Sequence, residues 1–251
     1  MSAPSLVLFD LDDTLFAHRE AVDAAAATTL RTLDAHLDTA AVSAEVARWT
    51  ELEEHHYHRY LSGELDYLGQ RRARARDFVA PYGIDLSADA VAESWFIDYL
   101  QGYRDAWVLH DDAIPALDAL AREIPGVRFG MITNGDLDFQ MAKLDALALT
   151  ARIEHVIASG EVGVTKPDAR IFAIALNRFD VRATDAVYVG DRLRTDAIGA
   201  ALAGMTGIWL NRRDVIPSDA DAAEADALGV QIIHGLGELT PLLTTGAGGR
   251  T

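Results

Sequence analysis

The chain has 251 residues, half of them hydrophobic, no cysteine, and a formal charge of −17 from 22 basic and 39 acidic side chains. That length and apolar content suffice for a well-buried core, while the missing cysteine excludes disulfides, thiolate catalysis and Cys-ligated metals. The acidic balance disfavours a nucleic-acid polymer or an anionic membrane as partner. No stretch reaches the roughly 18–20 apolar residues that span a bilayer, and no basic leader precedes the first apolar run, so a soluble, cytoplasmic protein is the expectation. Only two lysines occur, Lys143 and Lys166, so any lysine chemistry has two candidates.

In chain order, Ser5–Asp10 reads as a short buried strand ended by acidic turn residues. From Arg19 to Gly102 the texture becomes rich in Ala, Leu, Glu and Arg and predicts helices over 19–37, 43–61, 64–80 and 88–102. Breaks are expected near Ser62-Gly63 and at Pro81-Tyr82-Gly83. After Ile114-Pro115 short apolar runs alternate with helical patterns. Strands are expected at Val127–Thr133, His155–Ala158, Ala186–Gly190, Gly207–Leu210 and Val230–Ile233. Helices are expected over 136–147, 168–179, 195–203 (capped by Gly204) and 237–243. The Asp/Ala-rich stretch 218–228 reads as a loop or short helix, and Thr245–Thr251 as a frayed tail. This alternation predicts an α/β fold, a Rossmann-like parallel sheet covered on both faces. Its core, residues 1–16 and 111–251, is interrupted by an inserted helical domain, residues 17–110.

Parallel α/β sheets bind ligands at the carboxyl ends of their strands, and those ends carry the chemistry-bearing residues. The first strand runs into Asp10-Leu11-Asp12-Asp13-Thr14. Two residues apart in an extended segment, Asp10 and Asp12 face one site, where mutual repulsion lets one stay an anion while the other holds a proton. The fragment is not an EF-hand loop, because Leu15 stands where Gly is needed and Ala21 where Glu is needed. The second strand ends in Thr133-Asn134-Gly135, a hydroxyl, an amide and a turn at a helix start that suit an oxyanion. Lys166 follows in Gly163-Val164-Thr165-Lys166-Pro167-Asp168, a point charge able to neutralise phosphate oxygens. The strand Ala186–Gly190 leads into Asp191-Arg192-Leu193-Arg194-Thr195-Asp196. Its carboxylates suit a hard divalent cation, and Asp196 also suits a helix N-terminus.

The fragments FDLDDTL (9–15), ITNG (132–135), GVTKPD (163–168) and GDRLRTD (190–196), in this order and placement, resemble the haloacid dehalogenase superfamily of hydrolases. The resemblance covers essentially the whole chain. It implies a phosphatase in which Asp10 is the nucleophile and Asp12 the general acid and base. Thr133, the Asn134 backbone and Lys166 would hold the phosphoryl group. Mg²⁺ would be bound by Asp10, the Asp12 carbonyl and Asp191, with Asp196 nearby. The helical insertion would be the family's mobile, substrate-selecting cap. Arg192 departs from the small hydroxyl residue common beside the last motif.

The expected substrate is a small phosphorylated metabolite, with a lean towards a nucleoside monophosphate or sugar phosphate; the oligomeric state is left open. The alternatives are 2-haloacid dehalogenation, which in related enzymes lacks the second acid, and phosphate transfer between sugar positions. Phosphonate cleavage in related enzymes uses a cap lysine, and residues 17–110 contain none. A non-enzymatic role leaves the intact acidic set without a purpose. Within the insertion, Tyr57, Tyr60, Tyr67, Arg72 and Arg76 are candidates for reading the leaving group. The histidines at 55, 56 and 58 and the arginines at 71, 72, 74 and 76 read as solvated helix faces.

Overall fold

The computed structural model describes residues 3–244, so the predicted tail at 245–251 lies outside the described residues. In chain order the elements are β1 (Leu6–Phe9), α1 (His18–Leu33), α2 (Thr39–Leu61), α3 (Tyr67–Val79), α4 (Asp89–Asp105), α5 (Ala113–Glu123), β2 (Arg128–Thr133), α6 (Leu137–Ala146), β3 (His155–Ala158), α7 (Ser159–Val162), α8 (Ala169–Phe179), β4 (Ala186–Gly190), a π-helical turn (Leu193–Ile198) continued by α9 (Gly199–Leu202), β5 (Thr206–Leu210), α10 (Asp219–Ala227), β6 (Gln231–Ile233) and α11 (Leu239–Thr244). The chain forms two compact units, one of the residues up to Ala17 together with those from Val108 onward, the other His18–Trp107. No helix among the described residues is long and apolar enough to cross a membrane.

The first unit is built on a six-stranded sheet ordered β3-β2-β1-β4-β5-β6, with every neighbouring pair parallel. β1 lies between β2 and β4 and is buried along its length, as a parallel strand covered on both faces must be. One core cluster packs Ile171, Phe172 and Phe179 of α8 with Leu8, Ile132, Ile157 and Tyr188 of the sheet. A smaller one joins Leu193, Ala197 and Ile198 of the π turn with Trp209 and Ala225.

Two expectations are corrected here. No helix is expected around Ile114-Pro115, yet both sit in the first turn of α5, where a proline's missing N–H costs nothing because the first amides of a helix have no intrahelical partner. The segment predicted as an α-helix over 195–203 begins as a π turn. Its wide ring places Asp196 against Gly190, where any Cβ would collide with the Asp196 carboxylate. The 218–228 stretch takes its helical alternative, with Ser218 capping α10 through Asp221 N–H, and Gly204 takes the left-handed conformation expected of it.

The second unit packs α1–α4 around Trp49, which is fully buried and donates from Nε1 to Tyr99 Oη at 3.0 Å. The Phe78 ring meets Trp49 edge-on at 4.7 Å. Gly63 and Gly83 supply the left-handed residues that end the helical runs before them, as the break signals predict. His55 and His58 are exposed, as a solvated face requires, but His56 and several of the arginines depart from that expectation. His56 is buried, its Nε2 2.8 Å from Asp77 Oδ2, and burial holds its pKa below the ordinary value. Only 6 % of Arg74 is exposed; it lies over the Trp49 and Phe96 rings and pairs with Glu53. Burial works to raise the Glu53 carboxyl, but Arg74, His18 and Arg19 together hold it below its usual range. Arg72 pairs with Asp66, Asp89 and Glu93, and Arg76 with Asp89, so both guanidinium groups are engaged within the unit. Polar side chains on a helix are pulled inward when a neighbouring helix offers a counter-charge and an aromatic face.

Gly207 on β5 provides a packing test. A Cβ there would fall inside contact distance of the Ala197 backbone carbonyl, which no rotamer change can relieve. Gly207→Ala is expected to destabilise the protein by about 1–3 kcal/mol, the range for forced overpacking, as read from the midpoint of urea unfolding.

Candidate active site

β1 ends at Phe9, so Asp10 is the first residue beyond the sheet's central strand and inherits its burial, with 6 % of its surface exposed. Lys166 reaches it from the loop before α8. Its Nζ donates to Asp10 Oδ1 at 2.6 Å, to Asp196 Oδ1 at 2.7 Å and to Tyr188 Oη at 2.8 Å. All three protons of the ammonium are therefore used. Tyr188, the one polar side chain inside the apolar run of β4, passes its own proton to the Ile132 carbonyl at 2.8 Å. Burial works to depress the Lys166 pKa, yet Asp10 and Asp196 outweigh it and hold the ammonium well above its ordinary value. Asp10 is pushed up to about 7, chiefly by burial; Lys166 opposes this, while Asp196 and Asp12 reinforce it.

β4 ends at Gly190, and the π turn that follows returns Asp196 beneath it. Carboxylate oxygens of Asp10, Asp191 and Asp196 lie within 4.8 Å of one another. Burial, with Asp196 and Asp10 alongside, raises Asp191 well above the usual carboxylate range. Three clustered carboxyl groups, with Lys166 bonded to two of them, cannot all stay ionised without further positive charge. An all-oxygen donor set short of positive charge fits a hard divalent cation such as Mg²⁺. Asp196 stands apart in the trio. Its Oδ1 accepts from Lys166 and its Oδ2 from the Arg192 N–H at 2.9 Å, so protein donors reach both oxygens. Arg192 itself is exposed.

At the end of β2, Thr133 is buried and its Oγ1 accepts from Gln140 Nε2 at 2.7 Å. The amide of Asn134 does not point at an anion. It clamps the Lys166 backbone, accepting from its N–H at 2.8 Å and donating to its carbonyl at 3.0 Å. The Gly135 N–H is likewise taken, by Ser159 Oγ at 2.9 Å, and the helix cap is Asp136. Asp12 is half-buried, and Lys143 Nζ sits 2.6 Å from its Oδ1. The fold thus brings Asp10, Asp191, Asp196 and Lys166 into one cluster, with Thr133 and Asp12 linked through Gln140. Sequence reading did not find Gln140, Tyr188 or Ser159. Tyr188 had a signal, a phenol inside a buried strand, and Lys143 had another, its rarity.

A family model for haloacid dehalogenase-like hydrolases matches residues 4–204. The chain belongs to this family. Among similar proteins are the glyceraldehyde 3-phosphate phosphatase of Methanopyrus kandleri, 31% identical over 86% of this chain and 88% of the relative, and the phosphoserine phosphatase of Thermus thermophilus, 35% identical over 56% of this chain and 53% of the relative. The fold also matches the solved structure of the YfnB hydrolase of this family from Bacillus subtilis, with TM-score 0.77 and 22% identity over 96% of this chain and 99% of that one.

The raised Asp10 pKa has a measurable consequence for stability. The folded protein holds this proton up to about pH 7, whereas an unfolded chain releases it near 3.8. The carboxyl's contribution to folding is therefore fully present at low pH and is lost as pH rises through about 7. In chelator, the stability of Asp10→Asn relative to the parent is expected to increase from pH 4 to pH 7, because the amide does not titrate. Chemical denaturation across that range checks it, and a pH-independent difference would contradict the assignment.

Proposed function

We propose that this chain is a Mg²⁺-dependent phosphatase that hydrolyses a small phosphomonoester through an aspartyl-phosphate on Asp10. The observation that carries the reading is the Asp10 cluster, a nucleophilic carboxylate placed by β1, bound to a buried ammonium, with two further carboxyl groups beside it. Phosphoryl transfer asks for those three things, a positioned nucleophile, neutralising charge and metal ligands. The phosphatase names of the relatives support the same chemistry.

In this reading an Asp10 oxygen attacks phosphorus, the bond to the ester oxygen breaks, and Asp12 delivers a proton to the departing alcohol. A water then attacks the aspartyl-phosphate. Asp12 takes that water's proton, the bond between phosphorus and Asp10 breaks, and inorganic phosphate leaves with the Asp10 carboxylate restored. Thr133 and the Asn134 N–H hold phosphoryl oxygens, and Lys166 balances the charge that gathers on them. Asp10, Asp191 and the Asp12 carbonyl would hold the metal, whose positive charge supports the transferring group. Asp196 serves this site indirectly, by fixing Lys166 and the loop at Arg192. The substrate class is a short, polar phosphate ester of the kind named for the relatives, with sugar phosphates and nucleoside monophosphates as the two families to compare. Substrate preference is assigned to the helical unit, since the core residues account for a phosphoryl group and a metal alone.

Phosphate release from 4-nitrophenyl phosphate is expected to stop in excess chelator and return with added Mg²⁺; activity indifferent to both would remove the metal from the proposal. Asp10→Asn is expected to abolish turnover and acid-stable labelling of the protein by substrate phosphate, with the circular dichroism spectrum unchanged. Asp12→Asn is expected to lose about 10²–10⁴-fold, the usual worth of one general acid–base group. A 2-haloalkanoate is expected to release no halide. A phosphomonoester panel ranked by kcat/KM identifies the substrate class.

A further inference from the structure

The Asp12 side chain is held by two residues of α6. Lys143 Nζ lies 2.6 Å from Asp12 Oδ1, and Gln140 Nε2 lies 3.2 Å from Asp12 Oδ2. The two donors are three positions apart, on one face of the helix. Both are almost wholly buried, at 2 % exposed for Lys143 and 3 % for Gln140. The Lys143 ammonium is walled by the Phe16 and Phe139 rings, at 5.0 and 5.2 Å. Gln140 makes a second contact with the same amide nitrogen, to Thr133 Oγ1 at 2.7 Å. Room for it depends on Gly135, where a Cβ would stand 3.0 Å from that nitrogen. Each of the chain's two lysines thus meets one of the aspartates at positions 10 and 12, Lys166 on Asp10 and Lys143 on Asp12.

A stabilising ion pair is a poor explanation for this arrangement. Burying an ammonium to meet a half-exposed carboxylate sacrifices hydration that the pair does not reliably return. What the contacts do accomplish is orientation. A lone carboxylate at a loop position turns freely about its terminal torsion. Here one oxygen is tied to a cation and the other to an amide that also holds Thr133. We infer that Gln140 and Lys143 are positioning residues for leaving-group protonation: Lys143 holds Oδ1 as an acceptor, so the transferred proton is carried on Oδ2, the oxygen met by the neutral Gln140 amide beside the phosphoryl group that Thr133 receives. The inference rests on the reading of Asp12 as general acid.

Protonation matters most for a poor leaving group, so the test compares phenyl phosphate with 2,4-dinitrophenyl phosphate in the Mg²⁺-loaded enzyme. Lys143→Met, which keeps the aliphatic stem, and Gln140→Leu are each expected to lower kcat/KM on phenyl phosphate at least about tenfold more than on the dinitrophenyl ester, a fraction of the full effect of a general acid. Because the ratio is taken on one sample, partial loss of folded protein cancels. Absence of cysteine permits a direct rescue: aminoethylation of Lys143→Cys in denaturant, followed by refolding, restores an ammonium of nearly the same reach and is expected to restore the ratio. Asp12→Asn on the same pair supplies the reference. If it is indifferent to leaving group, the reading of Asp12 falls and the inference with it. If it discriminates while Lys143→Met and Gln140→Leu lower both substrates equally, or neither, the positioning role alone is overturned.

Discussion

The site depends on one buried ammonium. Lys166 Nζ donates to Asp10, Asp196 and Tyr188, and without that charge Asp10 and Asp196 would lose the buried cation that contacts them both. The surrounding architecture can be understood as what it takes to keep the ammonium in place. Asn134 clamps its backbone from both sides, Asp196 is carried under Gly190 by a π turn, and Tyr188 hands its proton onward to the Ile132 carbonyl. A network in which each donor is satisfied has little freedom to rearrange, and this rigidity suits a site whose work is charge placement.

The ammonium does not balance the cluster, and the residual strain is informative. Asp10 rises to about 7 and Asp191 is pushed well above its ordinary range, both chiefly by burial. Burial holds these groups where they are hard to ionise, a pattern expected of functional sites. The distribution of donors then separates the acids by use. Asp196 is covered by Lys166 and the Arg192 N–H, whereas Asp191 offers its carbonyl to Trp209 Nε1 and its carboxyl to the cluster.

The helical unit follows different physics. Its charges are not arranged around a reacting group but around each other, with Glu53 between Arg74 and Arg19, and Arg72 and Arg76 both on Asp89. Helical periodicity and charge runs read such residues as solvent-facing, because a single helix gives no sign of the partner helix that will cover it. His56 illustrates the point: its neighbours in sequence mark it as one of a surface cluster, but Asp77 of α3 draws it inward.

Spacing along the chain was sufficient to identify the strands, their parallel alternation with helices, and the acidic, hydroxyl and lysine residues at the strand ends, because these depend on short-range periodicity and on turn chemistry. Asp10, Thr133, Lys166 and Asp191 were legible for that reason. Helix α5 was not, since the change of texture at Ile114-Pro115 gives no sign that this proline occupies a first helical turn, where it is harmless. The pairing of functional groups was legible only in outline. Lys166 meets Asp10 across 156 residues and Lys143 meets Asp12 across 131. Local pattern carries no information about which side chains will share a hydrogen bond at such separations. Those bonds exist because strand order sets β2, β1 and β4 side by side, and because glycines at 135 and 190 leave the space that Gln140 and Asp196 fill.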